Sequence, residues 1–181
     1  MGRLIACDVN SARLEAIRPR LARAGVEAEL RLLGADGEGV EDLEGRADLV
    51  FVDAPCSGSG TWRRRPEGVW RLTEAEVERF HALQAEVLGR GAKLVRPGGR
   101  LVYVTCSVLG RENEDSAATL AGGRPEFRPM SVAEAAGGAA GLTDAARARL
   151  AELAQAGHEV QLTPARTDTD GFFVALWERV P

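Results

Sequence analysis

Two cysteines carry the strongest chemical signal in the sequence. Cys56 lies in Asp53-Ala54-Pro55-Cys56-Ser57-Gly58-Ser59-Gly60, directly after the apolar run Leu49-Val50-Phe51-Val52. Cys106 lies in Thr105-Cys106-Ser107, directly after Leu101-Val102-Tyr103-Val104. Pro55 removes a backbone donor and stiffens its turn, while Gly58 and Gly60 let the chain pass close to a ligand. The plainer account is a tight turn with an incidental thiol. If the two apolar runs are parallel neighbours in a sheet, both thiols and Asp53 reach one edge, although fifty positions separate the cysteines. A thiol attacks as thiolate, which needs positive charge or hydrogen-bond donors to bring its pKa down from about 8.5. Arg63-Arg64-Arg65, with Arg71 shortly after, could supply that field. Glu112-Asn113 adds polar groups near the same rim, with helix capping as the alternative use of Asn113.

The elements that must position these residues read as alternating strands and helices. Leu4-Ile5-Ala6-Cys7 ends at Asp8, and a helical pattern starts at Ser11 with Leu14, Ile17, Leu21 and Ala24 on one face. Pro19 should kink or limit that helix, and Gly25 stop it. A short strand follows over residues 28–33, then a Gly-rich loop, then the strand Ala47 to Asp53. The continuous apolarity of the latter suits burial on both faces. Residues 55–72 read as a long functional loop. Thr73-Glu74-Ala75-Glu76 fits a capping box that opens a helix, ended by Pro97-Gly98-Gly99. After the strand at 101–104, a helix is expected near Glu112, a surface excursion over Ala133 to Gly141, and a helix over Thr143 to Ala156. Residues 160–162 and 171–177 suggest a terminal β-pair. The whole predicts a doubly wound α/β sheet with its site at the strand C-termini, apparently without a first strand and helix.

Asp8, closing a strand before a helix, stands where a carboxylate accepts hydrogen bonds from ribose hydroxyls, or where an acid begins a helix. Asp36 could approach an adenine amine, or is a turn residue. The chain has 181 residues and 45% apolar content, enough for a core without disulfides. Cys7, Cys56 and Cys106 show no Cys-x-x-Cys spacing, so neither a disulfide framework nor a metal site is suggested. No membrane-length apolar run or secretory leader pattern is visible, and a cytoplasmic location is expected. The net charge of −4 argues against nonspecific polyanion binding, although the arginine cluster concentrates positive charge beside Cys56.

Asp53-Ala54-Pro55-Cys56-Ser57-Gly58-Ser59-Gly60-Thr61, Arg64-Arg65, Leu83-Gln84, Arg96-Pro97-Gly98-Gly99, Thr105-Cys106-Ser107, Glu112-Asn113-Glu114 and Thr169-Asp170-Gly171-Phe172-Phe173 together resemble the Sun (Fmu) family of RNA cytosine-5 methyltransferases. The likeness covers about Asp8 to Trp177. It implies a Rossmann-like class I methyltransferase sheet that transfers a methyl group from S-adenosyl-L-methionine to carbon 5 of cytosine in rRNA or tRNA. It further implies that Cys106 is the nucleophile, that Cys56 assists release and that Asp53 contacts the cytosine. Asp8, Asp36 and Asp53 are the implied cofactor-binding residues, and Arg63, Arg64 and Arg65 the RNA-binding ones. The family's cofactor loop, of Asp-x-Cys-Ala-Gly-x-Gly-Gly-Lys-Thr type, is not in this sequence. Residues 1–181 are therefore expected to form one partial catalytic domain, completed by an upstream segment or a partner chain. The competing expectation is a noncatalytic RNA-binding or interaction module derived from such an enzyme.

Overall fold

The structure is a computed structural model that describes residues 2–154 and 157–181. The chain divides into two compact units, residues 1–44 and 45–181, each described by itself. In the first, β1 (Ile5–Asp8), α1 (Ser11–Ala24) and β2 (Glu29–Leu32) form a β-α-β element whose strands pair in parallel. The side chain of Asn10 caps α1 by accepting from the Arg13 N–H at 3.2 Å. Gly25 closes the helix in the left-handed conformation, with φ 62°. The helix runs through Pro19, contrary to the expected limit. Pro19 is exposed, so water can serve the carbonyl that the ring leaves without a helical donor.

The second unit contains β3 (Ala47–Asp53), a 3-10 turn at Ser59–Thr61, α2 (Gly68–Arg71), α3 (Glu74–Leu94), β4 (Val95–Thr105) and α4 (Glu114–Gly123). Then follow β5 (Phe127–Pro129), α5 (Val132–Gly137), α6 (Asp144–Ala154), β6 (Glu159–Leu162), α7 (Pro164–Thr167) and β7 (Phe172–Arg179). The five-stranded sheet has the order β3-β4-β7-β5, with β6 also on β7. β3 and β4 are parallel, and β7 runs antiparallel to its neighbours, so the expected terminal pair of β6 and β7 forms. The α/β class is as expected. Its parallel strands, however, fall into two sheets, a two-stranded one in the first unit and this one in the second.

Alternation along β7 feeds two cores, because successive side chains point to opposite faces. Phe173, Ala175 and Trp177 join Leu88 and Ala92 of α3, Ala117 and Leu120 of α4, and Val52, Leu101 and Tyr103. Val174 and Leu176 pack against Val132 of α5, Leu150 and Leu153 of α6, and Val160. Each fully buried large apolar side chain contributes about 1.5–3 kcal/mol. β3 departs from expectation: Val52 is buried, but Leu49 and Phe51 are 56% and 62% exposed, so only one face is covered. A continuous apolar run does not reveal whether a neighbour exists on each side.

Three boundaries also shift. The predicted capping box at Thr73 and Glu76 is present, but α3 ends at Leu94 and Pro97-Gly98-Gly99 lies inside β4. There the pairing with β3 changes register between Ala47 and Leu49. The expected surface excursion at 133–141 contains α5, which buries Val132 and Ala136. Its small residues obscured the helical pattern. The helix expected over 143–156 is α6 as far as Ala154, and residues 155–156 lie outside the described residues. Among the described residues no helix is long and apolar enough to cross a membrane.

Gly60 fastens the segment after β3 to two other parts of the unit. Its N–H donates to the Cys106 carbonyl at 2.9 Å, and its carbonyl accepts from the Gly171 N–H at 2.8 Å. A Cβ on Gly60 would stand 2.2 Å from the Gly171 carbonyl oxygen, a backbone atom that can yield only by moving the approach to β7. Gly60→Ala should therefore destabilise the chain by about 1–3 kcal/mol in urea unfolding, as overpacking does. Unchanged stability would contradict this packing.

Candidate active site

Parallel pairing sets Asp53 opposite Val104, so the residues that follow β3 and β4 leave the sheet at the same edge. Cys56 and Cys106 meet there with their sulfurs 3.4 Å apart, both half-buried and both free thiols. Their titrations diverge. The Cys106 thiol is held down to about 7, chiefly because Cys56 hydrogen-bonds to it, against opposition from burial and the charges of Asp53 and Glu112. The Cys56 thiol is pushed far up, first by that same bond and then by burial. The bond between the sulfurs thus favours the thiolate form of Cys106, with Cys56 as the protonated donor.

The arginines do not supply the field expected of them. Arg64 Nε donates to Asp170 Oδ2 at 2.7 Å, and Arg63 lies 3.8 Å from Asp168 and 4.0 Å from Asp170. Arg63 and Arg64 thus turn toward the approach to β7, and the causes that lower the Cys106 thiol are the neighbouring thiol and backbone instead. Arg63 and Arg64 nevertheless remain more than half exposed.

Behind the thiols lies a polar network. Glu112 is fully buried and accepts from the Ser57 N–H at 2.7 Å, the Ser57 hydroxyl at 2.5 Å, the Ser107 hydroxyl at 2.5 Å and Gln84 Nε2 at 3.4 Å. Gln84 also donates to the Pro55 carbonyl at 2.8 Å. Asn113, likewise buried, accepts from the Thr105 hydroxyl at 2.6 Å and donates to the Ser107 carbonyl at 3.1 Å; its side chain does not cap α4. Composition pointed to Glu112 and Asn113 only as rim groups. Their burial, and the part played by Ser57, Ser107 and Gln84, had no signal beyond the shared motifs.

Asp53 ends β3 at the exposed rim, and its charge reaches Cys106. Asp8 and Asp36 belong to the first unit. Asp8 Oδ1 accepts from the Asn10 N–H at 2.8 Å, and its Oδ2 stands 3.8 Å from Arg13. Asp36 lies exposed in the turn closed by the Gly37 N–H to the Gly34 carbonyl at 2.9 Å. Among the described residues no cluster of three or more His, Cys, Asp or Glu is arranged to hold a metal ion.

Alkylation of Cys106 by iodoacetamide, followed by peptide mass mapping, should rise with pH through an inflection at about 7, since deprotonation creates the reactive form. Cys56→Ala removes the donor and leaves the opposing causes in place. Its inflection should move above the ordinary thiol value of about 8.5, and an inflection that stays put would refute the assignment of Cys56 as donor.

The chain matches the family described as 16S rRNA methyltransferase RsmB/F over residues 1–178. Ribosomal RNA small subunit methyltransferase B of Shewanella oneidensis is 31% identical over 179 residues, covering 96% of this chain and 36% of that protein. The crystal structure of PH0851 superposes with a TM-score of 0.80 at 32% identity, covering 98% of this chain and 37% of that one. The structure of NSun6 from Pyrococcus horikoshii with SFG has a TM-score of 0.71 at 23% identity, covering 99% and 42%, and shares the fold. The chain spans 36% of the length of the Shewanella protein and no larger share of other curated relatives it matches. With its α/β fold of class I methyltransferase type and its match over nearly every residue, the chain belongs to the RsmB/F family of 16S rRNA methyltransferases.

Proposed function

We propose that this chain carries the cytosine-handling part of an enzyme that methylates carbon 5 of cytosine in RNA, with rRNA or tRNA as substrate. The observation that carries the reading is the thiol pair, its sulfurs 3.4 Å apart, in which the bond from Cys56 lowers the Cys106 thiol. Carbon 5 of cytosine is a poor nucleophile until a group adds at carbon 6. The Cys106 thiolate forms a bond to carbon 6, and the displaced electron pair makes carbon 5 nucleophilic. Asp53, at the rim, is assigned the hydrogen bond to ring nitrogen 3, which it donates only on taking up a proton as charge develops there. S-adenosyl-L-methionine supplies the methyl group when bound.

Release then requires loss of the carbon-5 proton and cleavage of the bond between sulfur and carbon 6, which returns Cys106 as thiolate. Cys56 suits that step. Once Cys106 is a neutral thioether, two of the causes that raise the Cys56 thiol, the bond to Cys106 and the charge of Cys106, are gone, and burial alone remains among the large ones. Cys56, half-buried at the same edge, passes its own proton to water once Cys106 is a thioether and then takes the carbon-5 proton as thiolate.

Asp8 fits the cofactor's ribose. Its carboxylate ends a strand, is oriented by the Asn10 N–H, and keeps acceptor capacity with its side chain 26% exposed. Asp36 is proposed for the adenine. Arg63, Arg64 and Arg65 are proposed for RNA phosphates, with the target base taken out of its stack. Residues 1–181 would serve as one partial catalytic domain. An upstream segment or partner chain would complete the cofactor pocket; the edge of β3 away from β4 has no strand partner among the described residues.

The test is methyl transfer to RNA from labelled S-adenosylmethionine, by the chain and by a form extended upstream, with nucleoside analysis by mass spectrometry. The expected product is 5-methylcytidine, lost with Cys106→Ala by more than 100-fold, the scale of a missing nucleophile. Labelled RNA without 5-methylcytidine, or no transfer by either form, would overturn the reading.

A further inference from the structure

Glu112 is a buried carboxylate that no cationic side chain neutralises among the described residues. Every group pointed at it is a donor. Oε1 receives the Ser57 N–H and Gln84 Nε2, and Oε2 receives the hydroxyls of Ser57 and Ser107. Ser57 follows Cys56 directly, and Ser107 follows Cys106 directly. One carboxylate thus holds the residue next to each thiol. Its own backbone is pinned from the sheet, where the Tyr103 hydroxyl donates to the Glu112 carbonyl at 2.6 Å.

The direction of the hydroxyls follows from the carboxylate. The Val108 N–H donates to Ser59 Oγ at 2.9 Å, and the Leu109 N–H donates to Ser107 Oγ at 3.0 Å. Ser59 and Ser107 share a bond at 2.9 Å. With Ser107 donating to Glu112, the run reads Val108 N–H to Ser59, Ser59 to Ser107, and Ser107 to the carboxylate. An amide in place of the carboxylate would aim a donor at one of these oxygens, and the run would have to break or reverse.

We infer that Glu112 is a positioning residue for the thiol pair, a staple between the segments after β3 and β4 that keeps Cys56 within hydrogen-bond reach of Cys106. The inference rests on the proposed cysteine reaction for its catalytic meaning, but its geometry does not. Glu112 acts here through Ser57 and Ser107 and touches neither sulfur. Its charge works against the nucleophile, since it raises the Cys106 thiol, as does the charge of Asp53. The other ionisable groups at hand are Cys56 itself and the buried Tyr103. A role in charge and a role in position therefore predict opposite signs for the same substitution.

The experiment is the pH profile of Cys106 alkylation in the full chain carrying Glu112→Gln, with no RNA or cofactor present and with folding checked by near-UV circular dichroism. If Glu112 positions the pair, the inflection moves up from about 7 toward the ordinary value near 8.5, and alkylation at pH 7 falls roughly tenfold. An inflection that falls or stays where it was would overturn the inference, because removing only an opposing charge favours the thiolate. Ser57→Ala and Ser107→Ala keep the charge and remove one arm each. They should raise the inflection too, and they decide the matter if Glu112→Gln does not fold; unchanged inflections in both would overturn the staple. A raised inflection in these variants beside a wild type that methylates no RNA would leave the staple standing and the proposed reaction fallen.

Discussion

Parallel pairing of β3 with β4, in the register that faces Asp53 with Val104, is the constraint on which the rest of the candidate site depends. Two strands that run the same way must deliver their following segments to one edge, so residues fifty positions apart become neighbours. Pairing alone brings the segments close. Gly60, Gln84 and Glu112 then tie them together by hydrogen bonds to Cys106, Pro55, Ser57 and Ser107. Burial of α3 and α4 against the sheet supplies the free energy that holds these polar groups away from water.

The electrostatic design of the pair is economical in charge. A thiolate is commonly stabilised by a nearby cation, yet here Arg63 and Arg64 are engaged with Asp168 and Asp170, and two carboxylates oppose the anion. The stabilising partner is a second thiol. Such an arrangement is reversible in a way that a fixed cation is not: when Cys106 becomes a thioether, its bond and charge no longer raise the Cys56 thiol, and burial remains. The proposed division of attack and release between two residues of the same type rests on their coupling.

Much of this was legible in the residues. Both cysteines could be placed at strand ends because each follows a four-residue apolar run, and Thr73 with Glu76 announced the start of α3. What escaped reading depended on contacts distant in sequence. The arginine cluster looked like the source of the field at the thiol, but its partner Asp170 lies 106 positions from Arg64. Glu112 reads from the sequence only as a polar group near the rim, and charged side chains are seldom fully buried. Only the convergence of Ser57, Gln84 and Ser107 makes its burial tolerable. α5 was masked by alanines and glycines, β5 is three residues long, and the open face at Leu49 and Phe51 cannot be told from a covered one by apolarity.

The division of labour between the thiols is tested most directly by isolating the covalent protein and RNA species on a denaturing gel. Cys56→Ala, in the chain and in a form extended upstream, would be incubated with substrate RNA and S-adenosylmethionine. The account predicts a methylated adduct at Cys106 that accumulates when Cys56 is absent and does not form in Cys106→Ala. An adduct that persists without Cys106, or one that maps to Cys56 in the wild type, would contradict it.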